Sequence, residues 1–230
     1  MFRRTFIVAL LALGLMLGTA QAGIVSVIVP NPTASSVPAW LQLYNLGTGG
    51  APGLVSTANI VSIPGLTISF IGSSASGLYV GDVTNVTRSP FRTSADLADT
   101  ERYLNARAVA GSSVVFTYGA SQTAFALLWG SVDPTPQSYN QLTFTFSGSG
   151  GSQIVYGSDV VAGLSGVTPG TTNLAVSIYG LNAFNTVTVT ATQEAFEFVP
   201  GVAVPDGGAT LMLLGSALVG LGALRRKFRV

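Results

Sequence analysis

The chain has 230 residues, only 8 % of them charged, and a formal net charge of +1. It contains neither cysteine nor histidine, which excludes a disulfide framework, thiol nucleophiles, histidine-based triads and the usual zinc sites. Between Gly23 and Val204 four arginines face eight carboxylates, a net charge of −4. That is no footprint for a phosphate backbone, so nucleic acid is not an expected partner.

Residues 1–22 read as an export signal. Arg3 and Arg4 precede the apolar run Phe6–Leu17, and Ala20-Gln21-Ala22 follows. A basic start, a short apolar run and a small-residue cleavage site make a signal peptide. The apolar run is too short to span a bilayer comfortably. After passage through the export machinery, signal peptidase would cut after Ala22 and leave Gly23 as the new N-terminus. Arg3-Arg4-Thr5-Phe6-Ile7 also has features of a twin-arginine signal. Export in the unfolded state is the preferred reading, because no cofactor is expected that would need loading beforehand.

Residues 23–203 form the body, long enough for one core. Period-two patterns dominate it. Leu66, Ile68 and Phe70 share a face, as do Val114, Phe116 and Tyr118. The same holds for Phe125, Leu127 and Trp129; for Leu142, Phe144 and Phe146; for Leu174, Val176 and Ile178; and for Val187 and Val189. Threonine and serine fill most of the alternate positions, which puts one face in a core and the other in water. Turn clusters at 47–53, 72–77, 133–136, 148–151 and 163–170 separate the runs. The alternation breaks at Thr192–Ala195, so a bulge or loop is expected there before a last strand with Phe196 and Phe198. The segment Ser94–Ala110 has two readings. One is a helix capped by Ser94, with Asp96, Asp99 and Glu101 ahead of Arg102 and Arg107. The other is a loop followed by a strand at Tyr103–Ala106. Ten to twelve strands in this length predict an all-β fold, an antiparallel β-sandwich of jelly-roll type.

The remaining residues, 204–230, are tripartite. Val204-Pro205-Asp206-Gly207-Gly208 breaks regular structure. Ala209–Leu224 is an uncharged run of sixteen residues, about 24 Å as a helix, and reads as a C-terminal transmembrane helix slightly shorter than a ~30 Å hydrocarbon core. Arg225, Arg226, Lys227 and Arg229 follow and would hold that end in the cytoplasm. This arrangement resembles a PEP-CTERM sorting signal in its VPDSG-type variant, with Gly207 in place of the serine. The resemblance implies transient membrane anchoring and cleavage near Pro205–Gly208 by an exosortase-like membrane protease. It also implies arrival at the cell surface or in the extracellular matrix of a Gram-negative bacterium. The alternative is a single-span anchor that is never cut.

The body also resembles a group of exosortase-dependent surface proteins. The residues that carry this are the strand Ala124–Leu128 ending in Trp129-Gly130-Ser131-Val132-Asp133, then Tyr139-Asn140-Gln141-Leu142-Thr143-Phe144, and Ala195-Phe196-Glu197-Phe198. It implies a secreted protein without assigned catalysis and supplies no site residues.

The residues themselves leave carboxylate chemistry as the only catalytic route, as in glycoside hydrolysis. Glu194 and Glu197 would point to opposite faces of one continuous strand; the expected break between them removes that objection without making a site. Asp133 and Asp159 read as turn formers. A structural Ca²⁺ held by Asp133, Asp159 or Glu197 lacks a dense Asp/Asn loop. No catalytic, cofactor or metal residue is therefore assigned. The expected role is structural or interactive. The alternative is a carbohydrate-binding module of an exopolysaccharide matrix, with Trp40, Tyr139 and Asn140 as glycan contacts; Trp129 is assigned to the core.

Overall fold

The computed structural model describes residues 23–33, 36–72, 76–93, 95–136, 139–147, 151–193 and 196–204. The expected signal peptide, residues 1–22, and the tail from Pro205 onward lie outside the described residues, as does Ser94. Eleven strands and one short helix make up the described body: β1 Gly23–Ile28, β2 Leu41–Leu43, β3 Gly53–Ser56, β4 Leu66–Ile71, β5 Gly77–Val80, β6 Arg102–Ala106, β7 Ser113–Trp129, β8 Asn140–Phe146, β9 Ser152–Tyr156, α1 Gly157–Val160, β10 Leu174–Ala191 and β11 Phe196–Ala203. Every strand pairing is antiparallel. The fold is all-β, as the alternation predicts. Among the described residues no helix is long and apolar enough to cross a membrane.

Two long strands shape the body. β7 has 17 residues and β10 has 18, and their mutual register shifts between Tyr179 and Phe184. Gly180 sits in that break at φ 69°, a conformation that glycine adopts without strain. Phe116 and Phe125 show how sharply β7 turns. Nine residues would separate them by about 30 Å in a straight strand, yet their ring centroids are 5.5 Å apart. Each long strand therefore contributes one half to each of two facing layers. The first layer runs β4, β7 (residues 113–118), β10 (residues 184–191), β8, β9. The second runs β1, β10 (residues 174–179), β7 (residues 124–129), β11, β6, β5, β3, with β2 added alongside β11.

The main core fills the space between the layers and joins Ile68, Phe116, Phe125, Leu127, Trp129, Phe144, Phe184, Phe196 and Phe198, all buried. The second layer has a second covered face. There Tyr79, Tyr103, Ala126, Leu128, Ala175 and Val199 pack with Leu41 of β2 and with Val29 and Phe91 from the connecting segments, joined by half-buried Val37, Trp40 and Val86. Loops thus do on that side what the first layer does on the other.

The segment from 95 to 110 contains no helix; it is a turn followed by β6, the second of the two readings. Asp96 there makes specific ion pairs rather than complementing a helix dipole. Asp96 adopts φ 57°, and its carboxylate accepts from Arg88 Nη2 at 2.8 Å and Arg92 Nε at 3.1 Å. β10 ends at Ala191 and β11 starts at Phe196; Thr192 and Gln193 are outside both strands, and Glu194 and Ala195 lie outside the described residues.

Candidate functional site

The chain leaves the fold through β11. Its first half lies between β6 and β7, and Gly201–Ala203 pairs with β2. Gly201 permits that close approach, since a Cβ there would stand 2.5 Å from the Gln42 carbonyl oxygen. Tyr44 N–H donates to the Pro200 carbonyl at 2.9 Å, and Val204 N–H donates to the Trp40 carbonyl at 2.8 Å. Main-chain bonding therefore continues to Val204. The expected processing residues Pro205, Asp206, Gly207 and Gly208 follow at once, outside the described residues, as do Arg225, Arg226, Lys227 and Arg229. At the other boundary β1 begins at Gly23, opposite Tyr179. A Cβ at Gly23 would run into the Tyr179 ring. Ala22 lies outside the described residues.

The second candidate is an open pocket of about 520 Å³ lined by Asp82, Asn85, Thr87, Arg88, Asp133 and Glu197, among others. Glu197 projects from β11 toward the loop-covered face, opposite Asn105 of β6. Its Oε1 accepts from Thr87 Oγ1 at 2.9 Å and from Arg88 N–H at 2.8 Å, while Oε2 has no hydrogen-bond partner. Burial pushes the Glu197 carboxyl up to about 7, against the hydrogen bonds from Arg88 and Thr87, and the charge of Asp133 adds to the rise. Burial likewise raises the carboxyl of Asp133. Asp82 and Arg88 are already engaged. Arg92 Nη1 reaches both oxygens of Asp82 at 2.7 and 2.8 Å, and Arg88 is held by Asp96 and the Thr171 carbonyl.

Two uncompensated carboxyl groups at one pocket are chemically suggestive, since a desolvated carboxyl titrating near neutrality suits proton transfer. The exposure of Glu197 is only 2 %. Its carboxyl therefore lies at the floor of the pocket, largely covered by its neighbours. Among the described residues no three Asp or Glu side chains converge to hold a metal ion.

The sequence-predicted glycan contacts fall apart spatially. Trp40 packs half-buried against the second core. Asn140 is buried at the start of β8 in the first layer, its Oδ1 accepting from Asp133 N–H at 3.2 Å, and Tyr139 beside it is half-buried. Trp129 is fully buried as expected, stacked on Phe196 with centroids 4.3 Å apart. Asp159 serves a turn: its Oδ2 accepts from Tyr156 N–H at 2.8 Å at the start of α1. Glu194 lies outside the described residues, and the structure pairs Glu197 with Asp133 instead, across 64 residues of chain. The signal that could have found this is the motif pair itself. Gly130 N–H donates to the Glu197 carbonyl at 2.8 Å, so the Trp129–Asp133 and Phe196–Phe198 segments are one packing unit.

Comparison with known proteins bears on the exit rather than on the pocket. No curated protein and no solved structure matches the chain. Residues 203–228 match the family profile of the VPDSG-CTERM motif. The chain thus carries, from the last residue of β11 onward, a segment similar to the VPDSG-CTERM motif, a sorting signal of the PEP-CTERM type that points to export and a cell-surface or extracellular location.

Proposed function

We propose that this is an exported surface or matrix protein with a non-catalytic, structural or interactive body, released from the membrane by cleavage within Pro205–Gly208. The observation that carries the reading is the position of the motif. Residues 203–228 match it, and they begin at the last residue of β11, so the motif follows directly on the described body. A membrane protease cutting within 205–208 would remove no residue of the described core. The basic start, the apolar run Phe6–Leu17 and Ala20-Gln21-Ala22 support removal of residues 1–22 by signal peptidase. Ala209–Leu224 serves as the temporary anchor and Arg225–Arg229 sets its orientation. The burial of Glu197, with Oε1 bonded to Thr87 and Arg88, supports a structural role for that carboxyl.

The test is processing in the native host. Replacing Pro205 and Asp206 with alanine should trap a full-length, membrane-bound form, while the unaltered protein should begin at Gly23 and end within 205–208. Mass spectrometry of the surface pool decides it: an intact Val230 there would leave only the permanent anchor.

A further inference from the structure

The two boundaries of the body lie at the same end of the second layer. Gly23 of β1 is level with Tyr179 of β10, which is level with Ala124 of β7. On the far side of β7, Gly201 of β11 is opposite Ala126, so Ala203, two residues on, comes level with Ala124. Three strand spacings of about 4.8 Å put Gly23 and Ala203 roughly 14 Å apart.

The strand ends there carry no charged side chain: no Asp, Glu, Lys or Arg occurs in residues 23–26, 40–43, 121–126, 177–183 or 200–204. Asp159 lies further in, beside Ile24–Ser26, and Arg102, which opens β6, comes level with Pro200. What it shows instead is Tyr179 at 49 % exposure, Val202 at 38 %, the half-buried Trp40 and exposed Gln42, Ser121, Thr123 and Ala124. The opposite end of the same strands, about 17 Å away along β1, gathers Arg88 and Asp96 beside Ile28–Asn31 and Thr171–Asn173. Asp82 and Arg92 are bonded into the same charged group.

Chain length fixes which end meets the membrane. Five peptide steps separate Val204 from Ala209, a reach of at most about 18 Å, and the headgroup zone alone takes up roughly 5–8 Å of it. We infer that the uncharged end of the second layer, with Trp40, Gln42, Thr123, Tyr179 and Val202, is the membrane-facing surface and rests on the phospholipid headgroups while the tail is anchored. Its chemistry fits that occupant: aromatic rings with polar tips and neutral side chains lose little on entering the interfacial zone, where tyrosine and tryptophan concentrate. The charged end points away into water. This inference rests on the tail acting as an anchor, as proposed above.

The absence of cysteine makes any introduced thiol a unique label. Single variants Gln42→Cys, Thr123→Cys and Leu97→Cys of the exported form, residues 23–230, would each carry an environment-sensitive fluorophore. Leu97 is 65 % exposed and adjoins Asp96 at the charged end. Each protein is reconstituted into phosphatidylethanolamine/phosphatidylglycerol vesicles with or without a nitroxide on the headgroup. Quenching at 42 and 123 should exceed that at 97 at least threefold. Equal quenching at the three positions, or stronger quenching at 97, overturns the assignment while vesicle flotation still shows the anchor intact. A folded exported form that fails to float with the vesicles overturns the anchor reading itself, and this orientation with it. Ala183→Cys, exposed in the same bend, replaces either near-end label that lowers the melting temperature.

Discussion

In the first layer Leu142 and Phe144 are buried, while Thr143 and Thr145, alternating with them, are half-buried and exposed. In the second layer every residue from Phe125 to Trp129 is buried. Both stretches belong to one antiparallel sheet, so pairing geometry does not explain the difference. The covering does. The outer face of β8 meets water, whereas the outer face of β7 beyond the bend is covered by segments carrying Leu41, Trp40, Val86 and Phe91. Antiparallel strands ordinarily keep one wet face; here two irregular connections turn half the sheet into the middle of three strata.

The strongest way to break the comparison is a lysine on each outer face. Leu128→Lys would place an unpaired ammonium under the loops at a cost on the order of 5 kcal/mol, enough to abolish a cooperative melt followed by circular dichroism. A Leu128→Lys protein that melts close to the unaltered one would mean that the loops lift off easily and that the second face is no core.

The next largest effect sharpens the comparison by pH, because the covered face contains a carboxyl. Burial lifts Glu197 from its ordinary 4.5 to about 7, so between those values the folded chain holds a proton that the unfolded chain has released. Stability is then fully present below about pH 4.5 and declines as pH rises through 7, by about 3 kcal/mol in total. Asp133, also raised by burial, acts in the same direction. Urea unfolding at pH 5 and pH 8 measures the slope, and Glu197→Gln should remove most of it. A steep profile that survives Glu197→Gln would locate the titrating group elsewhere.

The smallest effect belongs to the wet face. Thr145→Lys, at an exposed position of β8, should change stability by no more than about 0.5 kcal/mol. A loss of several kcal/mol would show that this face too is covered, by a second copy or another partner.

Those contrasts also explain what could be read from the residues alone. Where one face is wet, as in Leu66–Phe70 or Leu142–Phe146, alternation identifies both the strand and its inward side. In Ala124–Trp129 the pattern is lost in a continuous apolar run, and only the parity of Phe125, Leu127 and Trp129 carries it. The folding of β7 and β10 through two layers is not encoded by period at all; it rests on a bend at Gly180 and on ring contacts such as Phe116 with Phe125. The pocket was illegible for a similar reason. Glu197 gains its environment from Thr87 and Arg88, more than a hundred residues earlier, and no local spacing records that. The sorting motif, by contrast, was legible because proline, two glycines and an apolar run act through local chemistry, and residues 203–228 match it.

One consequence of β11 is mechanical. The strand that carries the sorting tail is not an edge strand: β7 lies on one side, with β6 and β2 on the other. Ladder hydrogen bonds run perpendicular to the strands, so tension on the tail along β11 loads both ladders sideways and all at once instead of unzipping them singly. A pull transmitted along β11 would therefore have to break several ladder bonds together before it opened the sheet.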